Sequence, residues 1–440
     1  MRILVISYIF WPDVQPRSIR WQAITNHWSS IGHHVSVITA TQSNKDEERK
    51  NNDVEIIRVP ENWIGNVRNK LSGSTITTLN PKKYKSSNEH DNNPKQESDN
   101  IKLKKIIKAI YELTLRKLHW PDYAWTWIAN AKKETLSLLD SEDSYDVIIS
   151  VSHPFSSHLV GHTVKRKYPD IKWIIDMGDP FCFLEELPPN NFFLFDRLNK
   201  KIEGACFDDS DGVVVTTPET KQEYSRLFPK EINKIKVIPP LLSPDVSSSL
   251  KNNQRTKSTP SNIIKLVFLG TLYSEIRHPE GLLKLLNAAS KKLEKKLQIH
   301  FVGPTNNVDI SSFSFPNISI NFHGRVGRDI VLKYLLDADF LINIGNSTHF
   351  SLPSKLVEYV STGKPILNIS SIEQDTSSRF LSSYPMSKTV LLKGAVTNQM
   401  VKEVVDYLNS ALSIDLNYND FSLKKYETPN IAKEYEDLLG

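Results

Sequence analysis

Ser351-Leu352-Pro353-Ser354-Lys355-Leu356-Val357-Glu358-Tyr359-Val360-Ser361-Thr362-Gly363-Lys364-Pro365-Ile366-Leu367 joins two short apolar runs, Phe340-Leu341-Ile342-Asn343-Ile344 before it and residues 366–369 at its end. Both runs have the length and branched side chains of buried strands. Ser354 is a good N-cap residue and Pro353 stiffens the entry, so a helix starts here. Gly363 and Pro365 stop it after about nine residues. Leu356, Val357 and Val360 fall on its inward face. Strand, loop, short helix and strand in this order are the repeating unit of a parallel sheet covered by helices.

The same stretch carries candidate chemistry. Unpaired backbone N–H groups at a helix start attract an anion, and Lys355 adds positive charge beside them. Helical side chains lean toward the N-terminus, which puts Glu358 on the Ser354 and Lys355 side. A carboxylate there either accepts hydrogen bonds from a pair of sugar hydroxyls or simply pairs with Lys355 at i,i+3.

Outward from this unit the rhythm continues in both halves of the 440 residues. In the first half, strands are predicted at 2–8, 35–39, 54–59, 145–151, 172–176, 212–216 and 235–239, with a helix at 17–31 closed by Gly32. In the second half they fall at 264–269, 297–302, 318–322, 340–344, 366–369 and 390–392. The expected organisation is an N-terminal domain over 1–245, a polar linker at 246–262, a C-terminal domain over 263–420 and a terminal segment, 421–440, with a helical pattern. Two doubly wound α/β domains of this kind bind ligands beyond the carboxyl ends of their strands, and facing each other they enclose a cleft.

Residues 80–100, rich in Lys, Ser, Asn and Asp, read as a mobile insertion. Residues 101–118 then place Lys102, Lys104, Lys105, Lys108, Arg116 and Lys117 among Ile and Leu at helical spacing. Trp120, Tyr123, Trp125 and Trp127 follow. This segment either lies on an anionic bilayer surface or is a solvated helix with the Trp residues in the core.

Composition narrows the field. Two cysteines, Cys182 and Cys206, exclude a disulfide framework and argue for a reducing compartment. The first residues read as a strand and not as a signal peptide. No run reaches the roughly eighteen apolar residues of a membrane span. A net charge of +5 suits a phosphate-bearing or membrane-surface partner without demanding one. No zinc spacing, Walker loop or complete G-x-G-x-x-G is present, and basic residues follow no nucleic-acid motif. Asp209-Ser210-Asp211 looks like a metal-binding aspartate pair but lies between a helix and a strand, where a turn is expected.

Taken together, several motifs resemble those of family 4 glycosyltransferases, which have the GT-B fold of two Rossmann-like domains around a central cleft. They are Pro12-Asp13 after the opening strand, Tyr145-Asp146-Val147-Ile148-Ile149-Ser150, and His153-Pro154-Phe155-Ser156-Ser157-His158. To these add Trp173-Ile174-Ile175-Asp176-Met177-Gly178-Asp179-Pro180-Phe181, Val237-Ile238-Pro239, Phe268-Leu269-Gly270-Thr271-Leu272 and Pro353-Ser354-Lys355-Leu356-Val357-Glu358-Tyr359. The members most similar in pattern act in bacterial surface-polysaccharide assembly, lipopolysaccharide or capsule. The resemblance implies a retaining, metal-independent transfer of a hexosyl group from a nucleotide sugar, UDP- or GDP-linked, with no cofactor. It implies a glycan or lipid-linked acceptor, no nucleic acid, and a place in the cytoplasm, peripheral on the inner face of the cytoplasmic membrane. It also implies that the segment ending at Leu439 is a helix returning to the N-terminal domain.

By the same resemblance, the donor side comprises Gly270, Arg277, Arg325, Ser354, Lys355, Leu356 and Glu358. Glu358 matches the second glutamate of a paired motif and holds the ribose. The first, which contacts the transferred sugar, is replaced by Phe350, leaving that contact to backbone at 349–352. On the acceptor side, His153 and Asp179 follow strand ends and are the catalytic candidates. His153 can donate to a hydroxyl or leaving group, and Asp179 either accepts from the acceptor hydroxyl or closes a turn before Pro180. Asp13, Arg17 and Arg20 line the first strand-to-helix turn. Two other readings stay open: a nucleotide-sugar epimerase on the same fold, and a degenerate, non-enzymatic sugar-nucleotide-binding protein. For the glycosyltransferase reading, Glu358→Ala is expected to weaken donor binding strongly and leave folding intact.

Overall fold

The computed structural model describes residues 1–41, 50–51, 53–72, 118–141, 145–185, 187–252, 262–274, 276–411 and 423–439. The insertion expected at 80–100 and nearly all of the basic segment at 101–118 lie outside the described residues. The chain divides into two compact units. The first is Met1–Thr216 with Tyr224–Ile238 and Ala432–Gly440, and the second is Thr217–Glu223 with Pro239–Ile431.

The first unit is built on strands β1 (Arg2–Ser7), β2 (His34–Ala40), β3 (Lys50–Asn51), β4 (Val54–Val59), β5 (Val147–Val151), β6 (Lys172–Asp176), β7 (Gly212–Val215) and β8 (Ile235–Val237). Their order is β3-β4-β2-β1-β5-β6-β7-β8, parallel throughout except for the short β3 on β4. Leu4, Ile6, Ile148, Ile175 and Val213 are fully buried, as strands covered on both faces require. The helices here are α1 (Pro16–Ser30), α2 (Trp63–Ser72), α3 (Ile128–Asp140), α4 (Ser156–Lys167) and α5 (Phe192–Asp209). In α1, Pro16 opens the helix, and Trp21, Ile24 and Trp28 form its inward stripe. Trp127 is a core residue. The pair Asp209 and Asp211 is a turn whose carboxylates meet His162 and Lys165.

The second unit holds β9 (Ile263–Leu269), β10 (Leu272–Tyr273), β11 (Lys296–Val302), β12 (Thr305–Asn306), β13 (Ile318–Phe322), β14 (Phe340–Ile344), β15 (Ile366–Ser370) and β16 (Ser387–Leu391). Its main sheet runs β13-β11-β9-β14-β15-β16, all parallel. The order reverses between β9 and β14, so the crevice for a ligand opens at their carboxyl ends. The helices are α6 (Pro218–Leu227), whose residues from Tyr224 on belong to the first unit, α7 (Pro244–Asn252), α8 (Glu280–Ser290), α9 (Arg328–Asp337), α10 (Lys355–Ser361), α11 (Thr376–Leu381) and α12 (Asn398–Ser410). Part of the stretch expected as a linker is thus the helix α7. Its Pro244 suits a helix start, and its Val246 is buried in the core of the unit. The last helix is α13 (Thr428–Leu439); its residues from Ala432 on are part of the first unit, within which Tyr435 packs against Trp21 and Trp28. Among the described residues no helix is long and apolar enough to cross a membrane.

Candidate functional site

In the second unit the crevice begins with glycine. Gly270 follows β9 at φ +149° and Gly303 follows β11 at φ +142°. A Cβ on Gly303 would stand 2.0 Å from the Gly270 carbonyl oxygen, so this close approach of two loops requires glycine. Arg277, in the loop after β10, reaches the same place. Its Nη1 lies 4.0 Å from where a Gly270 Cβ would be, and its Nε donates to Asn346 Oδ1 at 2.7 Å.

Asn346 shapes the loop that enters α10. Its Nδ2 donates to the Ser351 carbonyl at 3.2 Å, which also accepts from Thr376 Oγ1 at 2.8 Å. The Phe350 carbonyl accepts from Thr217 and Thr220 at 2.7 and 3.1 Å. The Phe350 side chain is buried. Two hydroxyls in this loop, those of Ser347 and Thr348, are buried without a hydrogen-bond partner among the described residues. From α10, the Tyr359 hydroxyl accepts the Leu269 N–H at 2.7 Å and so fixes the helix to the end of β9.

Glu358 lies one turn into α10 and is only 4% exposed. Its Oε1 accepts from Ser243 Oγ at 2.8 Å and from Arg328 Nη2 at 2.8 Å. Lys355 Nζ stands 3.3 and 3.2 Å from the two carboxylate oxygens. Arg328, the first residue of α9, also grips Asp245 through Nε at 2.6 Å and Nη2 at 3.1 Å. The cluster holds two carboxylates and two cations, so it is close to neutral. Burial opposes ionisation of Glu358, but Lys355 and Arg328 outweigh it and hold the carboxyl below the usual glutamate range. Asp245 is also held low, with burial overcome by its bonds to Arg328. Burial pulls the Lys355 ammonium down against the attraction of Glu358.

The other donor-side candidates stand as follows. Ser354 precedes α10 with helical φ and ψ, and its side chain makes no capping bond. A residue already in the helical region cannot fold its hydroxyl back over the first turn. Leu356 is a core residue, and its N–H donates to the Pro353 carbonyl at 3.0 Å. Arg325 is exposed. Arg328, three residues on, enters the cluster instead. Ser243, Asp245, Arg328, Asn346 and Tyr359 were not singled out in the sequence. Only Arg328 had a local signal, a cation opening a helix after Gly327, where the helix dipole gives it no benefit.

In the first unit, His153 follows β5 with its ring 5.7 Å from that of Tyr123, and Asp179 is exposed in the loop after β6. Asp13 Oδ1 accepts from the Gln15 N–H at 2.7 Å. Arg17 turns inward, donating from Nε to the Ser152 carbonyl at 2.9 Å and pairing with Asp176. Arg20 is buried, with Nη2 donating to the Tyr435 hydroxyl at 3.1 Å. Asp176 is fully buried and also accepts from Trp21 Nε1 at 2.6 Å and Tyr435 Oη at 2.9 Å. It thus holds the end of β6 from which the Asp179 loop departs.

No family model matches the chain, and no curated protein matches it in sequence. Solved structures match nearly its whole length. The Anabaena protein Alr3699/HepE in complex with UDP-glucose gives a TM-score of 0.56 at 10% identity, over 100% of this chain and 99% of that one. WaaG, a glycosyltransferase involved in lipopolysaccharide biosynthesis, gives 0.54 at 14% identity, over 99% and 95%. The fold is GT-B. A putative UDP-N-acetylglucosamine 2-epimerase from Listeria monocytogenes also matches, with a TM-score of 0.50 at 10% identity, over 100% and 96%. These likenesses concern the fold. Within this GT-B chain, the glycine approach, Arg277 and the Glu358 cluster all belong to the second unit. Among the described residues no group of three or more His, Cys, Asp or Glu side chains is placed to hold a metal ion.

Proposed function

We propose that the protein is a retaining glycosyltransferase. It moves a hexosyl group from a UDP- or GDP-linked donor to a glycan or lipid-linked acceptor of bacterial surface-polysaccharide assembly, at the inner face of the cytoplasmic membrane. The observation that carries the reading is the buried Glu358 carboxylate, kept ionised beside Lys355 and Arg328. An ionised carboxylate is an acceptor only, suited to a pair of ribose hydroxyls. In the resting cluster its oxygens are shared among Ser243, Arg328 and Lys355. Lys355 bonds at 3.2–3.3 Å, against 2.8 Å for Ser243 and for Arg328 Nη2, and its side chain is a quarter exposed, at 26%, against 18% for Arg328. It is the member that turns to the diphosphate when the ribose takes its place on Glu358.

Transfer leaves negative charge on the departing nucleoside diphosphate. Lys355 and Arg277 stabilise that charge, and the unbonded hydroxyls of Ser347 and Thr348 supply further donors. The Gly270 backbone lets the diphosphate come close. On the first unit, His153 and Asp179 serve the acceptor hydroxyl or the leaving group. Arg17 and Asp176 hold the loops that carry them.

The test is a thermal-shift series with UDP, GDP, ADP, CMP and dTDP. A ligand that binds only the folded state raises the melting temperature. UDP or GDP is expected to raise it, and Glu358→Gln to lose most of that shift. No shift with any of the five counts against the proposal. Release of nucleoside diphosphate only when acceptor is added then separates a transferase from an epimerase and from a non-enzymatic binder.

A further inference from the structure

The first unit holds a second concavity that the proposed reaction does not use. A cavity of about 620 Å³ lies along α4 and is lined also by residues of α3 and α5. From α4 come Leu159, His162, Thr163 and Arg166, the i, i+3, i+4, i+7 stripe of one helix face. A stripe facing neighbouring helices is ordinarily apolar. This one presents an imidazole, a hydroxyl and a guanidinium. Lys132 of α3 and Lys167 add two ammonium groups, while Trp120 and Ile202 supply apolar wall. The Trp120 indole N–H donates to Asn199 Oδ1 at 3.0 Å, which fixes the ring in place.

The charges in this cavity do not balance. His162 Nε2 meets Asp209 Oδ2 at 2.7 Å, and Lys167 meets Asp140 at 3.0 Å. Among the described residues neither Lys132 nor Arg166 is paired with a carboxylate. The last turn of α4 favours cations through the helix dipole, which accounts for basic residues at 166 and 167. It does not account for Lys132, which lies in the second turn of α3, near that helix's positive end. Lys132 is half-buried, and burial pulls its ammonium below the usual lysine range. A cation withdrawn from water without a counter-charge is unfavourable unless a ligand supplies one.

We propose that this cavity binds a phosphate-bearing amphiphile, its phosphoryl oxygens taken by Lys132 and Arg166 and its apolar part lying on Trp120, Leu159 and Ile202. The volume exceeds that needed for an inorganic anion, and the apolar wall gives it a use. The ligand is either a soluble phosphate ester or the headgroup region of an anionic lipid.

The test uses the full chain and two probes. Decyl phosphate is titrated calorimetrically below its micellar concentration, and phosphatidylcholine vesicles with and without phosphatidic acid are floated with the protein. The proposal expects decyl phosphate to bind and the Lys132→Gln/Arg166→Gln variant to bind it at least tenfold more weakly. Flotation with phosphatidic acid that the double variant loses identifies the lipid source. Decyl phosphate binding without flotation identifies a soluble ester. Nucleoside diphosphate shifts are measured on the same variant, so that failure here is distinct from failure of the donor site. If the double variant does not fold, Arg166→Gln alone, at an exposed position, carries the test. No binding of either probe, or equal binding by wild type and variants, overturns the proposal.

Discussion

Arg328 Nη2 donates to Glu358 Oε1 at 2.8 Å while Nε of the same guanidinium donates to Asp245 Oδ2 at 2.6 Å. One planar fork therefore joins α7, α9 and α10 of the second unit. A lysine, as a single point charge on a flexible stem, does not span two carboxylates in this way. Removing Arg328 leaves Glu358 and Asp245 short of a partner where burial penalises charge. Arg328→Ala is expected to destabilise the protein by about 2–4 kcal/mol, and Arg328→Lys to recover less than half of that. Urea unfolding followed by circular dichroism measures both. A cost for Arg328→Ala within about 0.5 kcal/mol, the range of ordinary surface changes, would show that the fork holds nothing together.

The same contacts revise the expectation that Glu358→Ala leaves folding intact. Alanine abandons Arg328, Lys355 and Ser243 at once, so it is expected to cost about 2–3 kcal/mol in addition to any loss of donor binding. Glu358→Gln keeps the volume and one acceptor oxygen and is the better probe of function. In a double-mutant cycle, Arg328→Ala in the Glu358→Gln background should cost clearly less than in the wild type, because the carboxylate it neutralises is gone.

Acid should reveal the cluster. Glu358 has an ordinary value near 4.5, and its folded-state value is lower because Lys355 and Arg328 overcome burial. The unfolded chain therefore binds a proton first as pH falls. The stabilisation is fully present above about pH 5 and is lost progressively below it. Asp245, also held low, acts in the same direction. Melting temperatures between pH 7 and pH 3 should fall less steeply for Glu358→Gln than for the wild type. Parallel curves would mean that Glu358 titrates alike in both states.

The architecture was legible because its signals are local. Apolar runs such as 264–269 and 340–344 announce buried parallel strands, and Gly363 with Pro365 ends α10 on any reading. The position of Glu358 toward Lys355 followed from the lean of helical side chains. Its other partners did not follow. Ser243 is 115 residues away and Arg328 is 30. No periodicity relates them, and Arg325 was as good a basic candidate as Arg328 from sequence alone. The polar run after Leu242 read as a linker because Ser and Asn dominate it. Yet Val246 supplies enough apolar contact to dock a short helix, and Asp245 then meets Arg328. Arg17 and Arg20 were expected to line the first strand-to-helix turn, on the acceptor side. The carboxylate that draws Arg17 inward, Asp176, comes from a strand 159 residues on.

The loop approach at Gly303 gives a test that does not depend on function. At Gly303 an alanine faces both φ +142° and the Gly270 carbonyl oxygen 2.0 Å from its Cβ, and that neighbour is backbone. At Gly324 the φ is +63° but no atom lies within 4 Å of the added carbon. Gly324→Ala should cost about 1 kcal/mol, the price of a left-handed residue alone. Gly303→Ala should cost about 2 kcal/mol or more, because the loops must also part. Equal costs in thermal denaturation would show that the close approach is not needed for stability.

Tyr435 offers the corresponding test in the first unit. Its hydroxyl donates to Asp176 Oδ1 at 2.9 Å and accepts from Arg20 Nη2 at 3.1 Å, and its ring meets Trp21 and Trp28 with centroids 5.1 and 6.3 Å away. Tyr435→Phe keeps the ring and removes bonds to two charged groups, for an expected loss of about 1.5–3 kcal/mol. Tyr435→Ala also opens a cavity beside two fully buried indoles, raising the loss to about 3–5 kcal/mol. Tryptophan emission separates the two contributions. The phenylalanine variant should keep the native spectrum, since Trp21 and Trp28 stay covered. The alanine variant should shift to the red as water reaches them. If both variants lost the same stability with unchanged emission, ring packing would contribute nothing and the hydrogen bonds alone would hold α13 in place.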